Sequence, residues 1–177
     1  MTAGTSDQPA PAQPTLDTPR LRLRPFVAAD APAVRALAGD RRIADGTLTV
    51  PHPYPEGAAE AWIATHAGEW AAGRAAVYAV IDRADDGLVA AVGLHVVREH
   101  ARAELGYWVG VPHWGRGIAT EAARALVDLG FRTLRLHRVQ ARHFVRNPAS
   151  GQVMRKLGMR FEGVQREAVR KWDRFED

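Results

Sequence analysis

Cysteine is absent from this chain of 177 residues, which excludes disulfides, thiolate metal sites and a cysteine nucleophile. No apolar run approaches the roughly 20 residues that a membrane-spanning helix needs, so we expect no membrane partner. Residues 1–19 contain four prolines and no basic residue, which is unlike a secretory signal peptide. We therefore expect a cytoplasmic protein whose residues 1–18 form a disordered tail.

Charge is distributed unevenly along the chain. Residues 1–130 carry 12 Lys+Arg and 15 Asp+Glu, whereas residues 131–177 carry 12 and 5. A basic half favours a negatively charged partner, and nucleic acid is one such class. The interleaved aromatic and arginine residues of a stacking platform are missing, however. We therefore rank a small anionic ligand first, a solvated basic surface second and nucleic acid last.

The stretch VPHWGRGIATEAARAL, residues 111–126, combines small residues with a helical pattern. Residues 102–109 before it alternate as in a half-buried strand, and residues 118–129 after it have helical spacing. A helix N-terminus has N–H groups without acceptors and carries partial positive charge, so it favours an anion. Glycines let an anion approach that backbone closely. The segment is therefore a candidate phosphate site.

Other interpretations of the same stretch are a dinucleotide-binding loop, a P-loop or a plain tight turn. The dinucleotide fingerprint wants an acidic residue at the end of the next strand, where this chain has Val145-Arg146. The Gly-Lys-Ser/Thr triplet of a P-loop does not occur in the chain. A tight turn whose glycines serve packing stays open as an alternative to the phosphate site.

The hydrophobic pattern predicts one mixed α/β domain. Strands are expected over residues 20–26, 75–81, 88–97, 102–109, 138–145 and 161–169. Helices are expected over residues 29–38, 56–72, 118–130 and 147–158. Asn147-Pro148 supplies a preferred N-cap residue followed by the residue preferred at the first helical position.

Three segments in this order and spacing resemble the GNAT superfamily of acetyl-CoA-dependent N-acyltransferases: TPRLRLRPF, AELGYWVGVPHWGRGIATEA and LHRVQARHFVRNPASGQVMRKLGMRFEG. Within the superfamily, the chain is most similar to the branch of ribosomal-protein alanine and serine N-acetyltransferases. The resemblance implies a GNAT-like fold, with a central, mostly antiparallel sheet that splays at a bulge and helices on both faces. It also implies a single N-acetyltransferase domain over residues 19–177.

The resemblance assigns the phosphate site to the pyrophosphate of acetyl-CoA. Backbone N–H groups at the loop and first helical turn would hold it, which here are those of Arg116, Gly117, Ile118, Ala119 and Thr120. The pantetheine amides would pair with backbone groups of two residues on the preceding strand and loop, Val109 and Val111. The side chain of Asn147 would contact the pantetheine arm, although helix capping alone explains an asparagine there equally well.

The resemblance also implies the catalytic groups. An acceptor amine must lose a proton before it attacks a thioester, and Glu104 matches the position that often serves as its acceptor. The leaving thiolate benefits from an acid, and Ser150 matches the hydroxyl that some relatives use. Each residue also has a non-catalytic interpretation: Glu104 as an exposed surface carboxylate, and Ser150 as a serine that completes the first turn of a helix. Where relatives carry a further base on the last strand, this chain has Val169, with Glu167 two residues earlier.

The implied reaction is direct transfer of an acetyl group to a primary amine, with no metal and no covalent enzyme intermediate. A protein or peptide N-terminus is the acceptor that the branch suggests, and polyamines, amino acids and antibiotics are alternatives. A non-catalytic acyl-CoA-binding module and an RNA- or ribosome-binding protein are rival classes. Relatives continue beyond the equivalent of KWDRFED with one more strand, so we expect either that this strand is missing from the chain or that a partner subunit completes the sheet of a homodimer.

Overall fold

The computed structural model describes residues 11–177. Its helices are α1 (Ala31–Ala38), α2 (Arg41–Gly46), α3 (Ala58–Ala71), α4 (Ile118–Arg132) and α5 (Pro148–Lys156). Its strands are β1 (Leu16–Asp17), β2 (Leu21–Arg24), β3 (Ala75–Asp82), β4 (Leu88–Val97), β5 (Arg102–Val109), β6 (Arg138–Gln140), β7 (Val169–Lys171) and β8 (Arg174–Glu176). Strands β1 to β6 form one sheet in chain order, and β7 and β8 form a separate hairpin.

The six-stranded sheet is antiparallel from β1 to β5, and β6 joins β5 in parallel. Its central strand β3 is apolar along nearly all its length and buried throughout, because helices cover both faces. One face packs against α4 and the other against α1 and α3. The expected mixed α/β architecture, with helices on both faces of a mostly antiparallel sheet, is confirmed.

The sheet splays where β5 and β6 part. The parallel pairing ends at Glu104 and Gln140, after which β5 continues to Val109 beside β4 alone. Pairing between β4 and β5 is regular from Arg102 to Val109, whereas a register shift lies in β3 between Val80 and Ile81. The opening therefore arises where β6 ends and leaves β5 unpaired on that side. The expected bulge is not seen in the pairing of β5 with β4, which corrects that prediction.

The predicted disordered tail is wrong for the part that the structure describes as β1. Leu16 and Asp17 pair with Leu23 and Arg22 of β2, so this segment extends the sheet by one short strand. Leu16 also packs against the apolar cluster under α4, which an unstructured tail would not do. Residues 1–10 of the predicted tail lie outside the described residues.

Two predicted strands differ from the structure. The strand expected over residues 138–145 ends at Gln140, because the chain then turns away from β5 toward the start of α5. The strand expected over residues 161–169 does not form: Phe161 is 78% exposed and no neighbouring strand pairs with it. The chain instead forms the hairpin β7–β8, and α2 is an additional short helix that the pattern did not predict.

Within residues 11–177, no helix combines the length and apolarity that crossing a bilayer requires. The longest helix, α4, has 15 residues and carries a polar face that includes Glu121 and Asp128.

Candidate active site

A cavity of about 1080 Å³ opens between the turn before α4 and the start of α5. Small-molecule sites typically measure about 300–1,000 Å³, so it is large enough for a sizeable ligand. Tyr107, Trp108 and Val109 at the end of β5 line its inner wall. The cavity therefore occupies the place where the sheet splays, and α2 and the hairpin β7–β8 close its far side.

The near wall of the cavity is the turn from β5 into α4. Gly115 (φ +75°) and Gly117 (φ +78°) have left-handed backbone, which glycine adopts without steric cost. Gly117 is the N-cap residue of α4, and Ile118, Ala119 and Thr120 follow it in the first turn. The N–H groups of a first turn have no acceptor inside the helix. All five residues line the cavity, so the helix start faces it.

The side chain of Arg116 lies elsewhere. Its guanidinium contacts Nδ1 of His113 at 3.2 Å and Oδ2 of Asp82 at 3.4 Å, and Arg116 does not line the cavity. His113 does line the cavity, but its ring faces this arginine. The glycines of this turn therefore face the cavity, whereas the side chain of Arg116 does not.

The structure separates the two valines predicted to pair with pantetheine. Val109 lines the cavity, and its carbonyl accepts a hydrogen bond from the indole Nε1 of Trp114 at 2.7 Å. Val111 lies outside the cavity wall, and its carbonyl accepts the backbone N–H of Trp114 at 3.2 Å. A carbonyl oxygen has two lone pairs, so Val109 keeps one for a ligand. Trp114 thus fixes the turn in a way that the sequence did not predict.

Asn147 connects the start of α5 to α2. Its Oδ1 accepts the backbone N–H of Ser150 at 3.3 Å, and its Nδ2 donates to the carbonyl of Gly46 at 3.1 Å. The capping role is therefore present. Asn147 also lines the cavity, and a side-chain amide has two N–H donors, so one remains for a ligand in addition to these bonds.

Ser150 lies on the cavity wall next to a partly buried phenol, Tyr107, that the sequence pattern did not indicate as a site residue. Its Oγ is 2.9 Å from the Tyr107 Oη, which also approaches the Ser150 carbonyl at 3.1 Å. Burial raises the pKa of Tyr107, and its hydrogen bond to Ser150 offsets part of that rise. The phenol therefore stays protonated and holds the serine hydroxyl in place. Alternation with the buried Leu105 puts Tyr107 on the same strand face, which is the signal that could have revealed it.

Glu104 lies outside the cavity wall, on β5 four residues before Trp108. Both side chains are on one face of the strand, with their Cα atoms about 13 Å apart at 3.3 Å per residue. The carboxylate is 45% exposed and has weak contacts, with Gln140 Nε2 at 3.4 Å and Arg142 Nε at 3.9 Å. Gly106 between the two leaves open space beside the strand. The structure therefore leaves a path along this face from Glu104 to the splay.

A network of ion pairs builds the far wall. Nε of Arg146 contacts Glu176 of β8 at 2.9 Å, and its Nη1 contacts Asp45 of α2 at 2.9 Å. Arg174 joins the same two carboxylates, at 2.6 Å from Glu176 and 3.4 Å from Asp45. Hydrogen bonds from Arg146 lower the pKa of Glu176 more than its burial raises it, so the carboxylate remains charged. Three segments far apart in the chain are thereby held together.

The hairpin is also anchored by Lys171, which is buried and donates from Nζ to the carbonyls of Leu48 (3.1 Å) and Val50 (2.9 Å). Burial lowers the pKa of Lys171. The next residue, Trp172, lines the cavity, and its ring lies 5.8 Å from the Arg41 guanidinium. The hairpin therefore places an aromatic ring at the end of the cavity away from α4.

The cavity carries a positive charge balance. Five of its lining residues are basic and two are acidic: Arg41, Arg42, Arg146, Lys156, Arg174, Asp45 and Asp173. Together with the N-terminus of α4, this balance favours a ligand with several negative charges. The basic surplus of residues 131–177 is thus partly used in this wall, to which α5 and β8 contribute.

Comparison with known proteins gives concordant matches. A family model described as an acetyltransferase (GNAT) domain matches residues 20–160. The chain is 32% identical to the uncharacterized N-acetyltransferase YoaA of Bacillus subtilis (strain 168), with 87% of each chain covered. It is 35% identical over 75 residues to the ribosomal-protein-serine acetyltransferase of Escherichia coli (strain K12), which covers 42% of each.

The matched length differs between relatives. Two further N-acetyltransferases from Bacillus match over about half of their own length, 54% and 52%. Among solved structures, RimL, described as a ribosomal L7/L12 α-N-protein acetyltransferase in complex with coenzyme A, superposes with a TM-score of 0.82. Its sequence identity is 18% with 90% of each chain covered, so this likeness shows a shared fold.

Proposed function

The chain belongs to the GNAT acetyltransferase family, and we propose that it transfers an acetyl group from acetyl-CoA to a primary amine. The observation that carries this proposal is the start of α4, whose free N–H groups face a large cavity with a basic lining. Coenzyme A has the matching chemistry, with a pyrophosphate and a long amide-containing arm. The relative RimL has been described with coenzyme A bound.

We place the pyrophosphate on the backbone of Gly117, Ile118, Ala119 and Thr120, where charge-assisted hydrogen bonds and the helix dipole both favour it. The pantetheine arm would follow the splay toward Val109, which shares this wall of the cavity. Arg116 would contribute its backbone N–H rather than its side chain, which is occupied with Asp82 and His113. Val111 is the predicted contact that the geometry supports least, because it lies outside the wall.

Proton transfer is assigned to two side chains on opposite sides of the splay. Ser150, held by Tyr107, would donate a proton to the departing thiolate of coenzyme A. Glu104 would accept the proton of the acceptor amine, through water because of its distance from the cavity wall. The thioester supplies the activated acetyl group, so neither residue needs to become acetylated. Backbone N–H groups near Trp108 would stabilise the oxyanion.

The acceptor is a protein or peptide N-terminus in this proposal. Its support is the match to the ribosomal-protein-serine acetyltransferase and the open strand face at Gly106, which leaves room for an extended peptide beside β5. Small-molecule amines are the second candidate.

We further propose that residues 19–177 form the N-acetyltransferase domain. A cytoplasmic location and a homodimer also stay predictions.

The test is release of free thiol from acetyl-CoA with three acceptor sets: peptides beginning with Ser, Ala or Met, polyamines, and aminoglycosides. We expect turnover with a peptide, and a decrease of about a hundredfold or more in kcat for Glu104→Gln with unchanged acetyl-CoA affinity. Glu99→Gln, an exposed carboxylate outside the cavity, is the control. Turnover of small amines alone would remove the peptide assignment. Saturable binding without any turnover would favour the non-catalytic module.

A further inference from the structure

The segment TPRLRLRPF carries part of the family resemblance, yet the proposed function gives its first residues no role. We propose that Thr18, Arg20 and Glu121 form a positioning cluster that keeps the start of α4 able to bind the coenzyme pyrophosphate. This inference rests on the proposed function, because it takes the pyrophosphate to bind at residues 117–120. None of the three residues needs to touch the coenzyme for the cluster to act.

The cluster joins segments that are 101 to 103 residues apart in the chain. Oε1 of Glu121 accepts hydrogen bonds from Thr18 Oγ1 at 2.7 Å and from the backbone N–H of Arg20 at 3.0 Å. Oε2 accepts from Nε of Arg20 at 2.7 Å and lies 2.6 Å from its Nη2. Four contacts thus fix one carboxylate, whose side chain is 18% exposed.

Glu121 would be a poor neighbour for a pyrophosphate if it stood alone. It lies in the first turn of α4, so its negative charge would repel an anion bound at the same helix end. Burial raises the pKa of Glu121, but the hydrogen bonds from Thr18 and Arg20 outweigh this effect and the net change is downward. The carboxylate is therefore charged at neutral pH, and Arg20 supplies the charge that neutralises it.

Arg20 also orients the peptide bond before Gly117. Its Nη1 donates to the carbonyl of Arg116 at 2.9 Å. This carbonyl and the N–H of Gly117 belong to one planar trans peptide, so they point in opposite directions. Arg20 therefore directs the Gly117 N–H away from itself, and within residues 11–177 that N–H has no hydrogen-bond acceptor. A Cβ on Gly117 would lie 3.5 Å from Nη2 of Arg20, so the guanidinium packs against the glycine.

Arg20→Gln tests the cluster against a matched control two residues later in the chain, on β2. Arg22→Gln removes the next outward-facing arginine, which pairs with Asp17 at 3.1 Å and lies away from the turn. We expect Arg20→Gln to raise the KM and Kd for acetyl-CoA about tenfold while kcat at saturation stays within about twofold. Arg22→Gln should change none of these values. Calorimetry at low ionic strength and steady-state kinetics supply the measurements, since salt would screen the effect.

The double variant Arg20→Gln/Glu121→Gln separates positioning by charge from simple loss of stability. Removing the unneutralised carboxylate should restore most of the lost affinity, whereas a purely structural cluster would leave the double variant at least as weak as Arg20→Gln. Unchanged affinity in folded Arg20→Gln, or no recovery in the double variant, would overturn the inference. Failure of the parent protein to bind acetyl-CoA would instead overturn the proposed function.

Discussion

Helices α3 and α4 begin in the same way but face different surroundings. Each is preceded by a glycine with left-handed backbone at the N-cap, Gly57 (φ 74°, ψ −7°) before α3 and Gly117 (φ 78°, ψ 6°) before α4. Each carries a glutamate in its first turn, Glu60 and Glu121. Yet α4 opens into the cavity, whereas a Cβ on Gly57 would meet open space.

The two helix starts differ in charge. Glu56 and Glu60 stand exposed at the start of α3, and neither has an ion-pair partner among residues 11–177. At α4, the single carboxylate Glu121 is neutralised by Arg20. A helix N-terminus with a left-handed glycine is therefore common to both. Only α4 combines it with an enclosed basic cavity and a neutralised first-turn carboxylate, which makes it the candidate anion site.

The largest effect that we predict concerns α3, which carries a buried histidine where α4 carries aliphatic residues. Both ring nitrogens of His66 lack a hydrogen-bond partner among residues 11–177, and the ring packs on Phe26 and Trp62. Burial lowers the pKa of His66 from 6.5 to about 4, and His95 adds to this effect. The folded state thus prefers the neutral ring, so its stabilisation is complete above pH 6.5 and is lost as the pH falls through about 4.

This difference in proton affinity corresponds to about 3 kcal/mol of unfolding free energy between pH 7 and pH 4. Denaturant unfolding at both pH values measures it. His66→Phe keeps the aromatic packing and should lose about 3 kcal/mol less than the parent over this interval. His100→Gln, at an exposed histidine, should behave like the parent. If the parent and His66→Phe lost equal unfolding free energy between pH 7 and pH 4, the pKa of His66 would not be lowered by folding.

Exchanging the third residues of the two helices tests whether the start of α4 binds an anion. Thr120→Glu gives α4 the glutamate that α3 has at Glu60, and Glu60→Thr does the reverse. The new carboxylate should weaken acetyl-CoA binding on the order of a hundredfold, from its repulsion of the pyrophosphate. It should leave stability equal or slightly higher, because an acidic residue in the first turn favours the helix dipole.

Glu60→Thr should leave acetyl-CoA affinity unchanged. Calorimetric titration with acetyl-CoA and thermal unfolding of the ligand-free proteins measure both properties. Binding by Thr120→Glu at parental strength would show that no anion binds at the start of α4, even if the protein still folds and binds the coenzyme elsewhere.

The smallest effect that we predict is a difference in unfolding free energy between substitutions of Glu121 and Glu60. Glu121→Gln should lower the free energy of unfolding by about 1 kcal/mol at pH 7, because hydrogen bonds to a charged, largely buried carboxylate are weakened. The pKa of Glu121 is lowered from 4.5, so this difference should be present above about pH 4.5 and disappear as the pH falls further. Glu60→Gln should have no measurable effect in the same denaturant titration. A pH-independent deficit in Glu121→Gln would point to packing instead.

Local features of the site could be predicted from the sequence. The turn at Gly115 and Gly117, the start of α4 and the cap at Asn147 each depend on residues within a few positions of one another. Their backbone conformation and capping follow from residue type, so pattern and chemistry agree with the structure there. The alternation of residues 102–109 likewise placed Glu104 and Leu105 on opposite faces.

The far wall could not be predicted, because it depends on contacts between distant segments. Arg146 meets Asp45 across 101 residues, and Lys171 meets Leu48 across 123. No periodicity encodes such pairs, and the short elements α2, β7 and β8 are held by these contacts as much as by local propensity. The same reason hid the cluster of Arg20 and Glu121, whose members lie in two separate motifs.

The most direct test of the account compares Gly117→Val with Gly57→Val. Both substitutions force a branched side chain into left-handed backbone, so both should lower the thermal midpoint of the ligand-free protein by a similar amount. Gly117→Val should also weaken acetyl-CoA binding at least about tenfold, because the amides of the first turn must move to relieve that strain. Gly57→Val should bind acetyl-CoA like the parent in the same calorimetric titration. Parental affinity in folded Gly117→Val would contradict the claim that α4 holds the coenzyme.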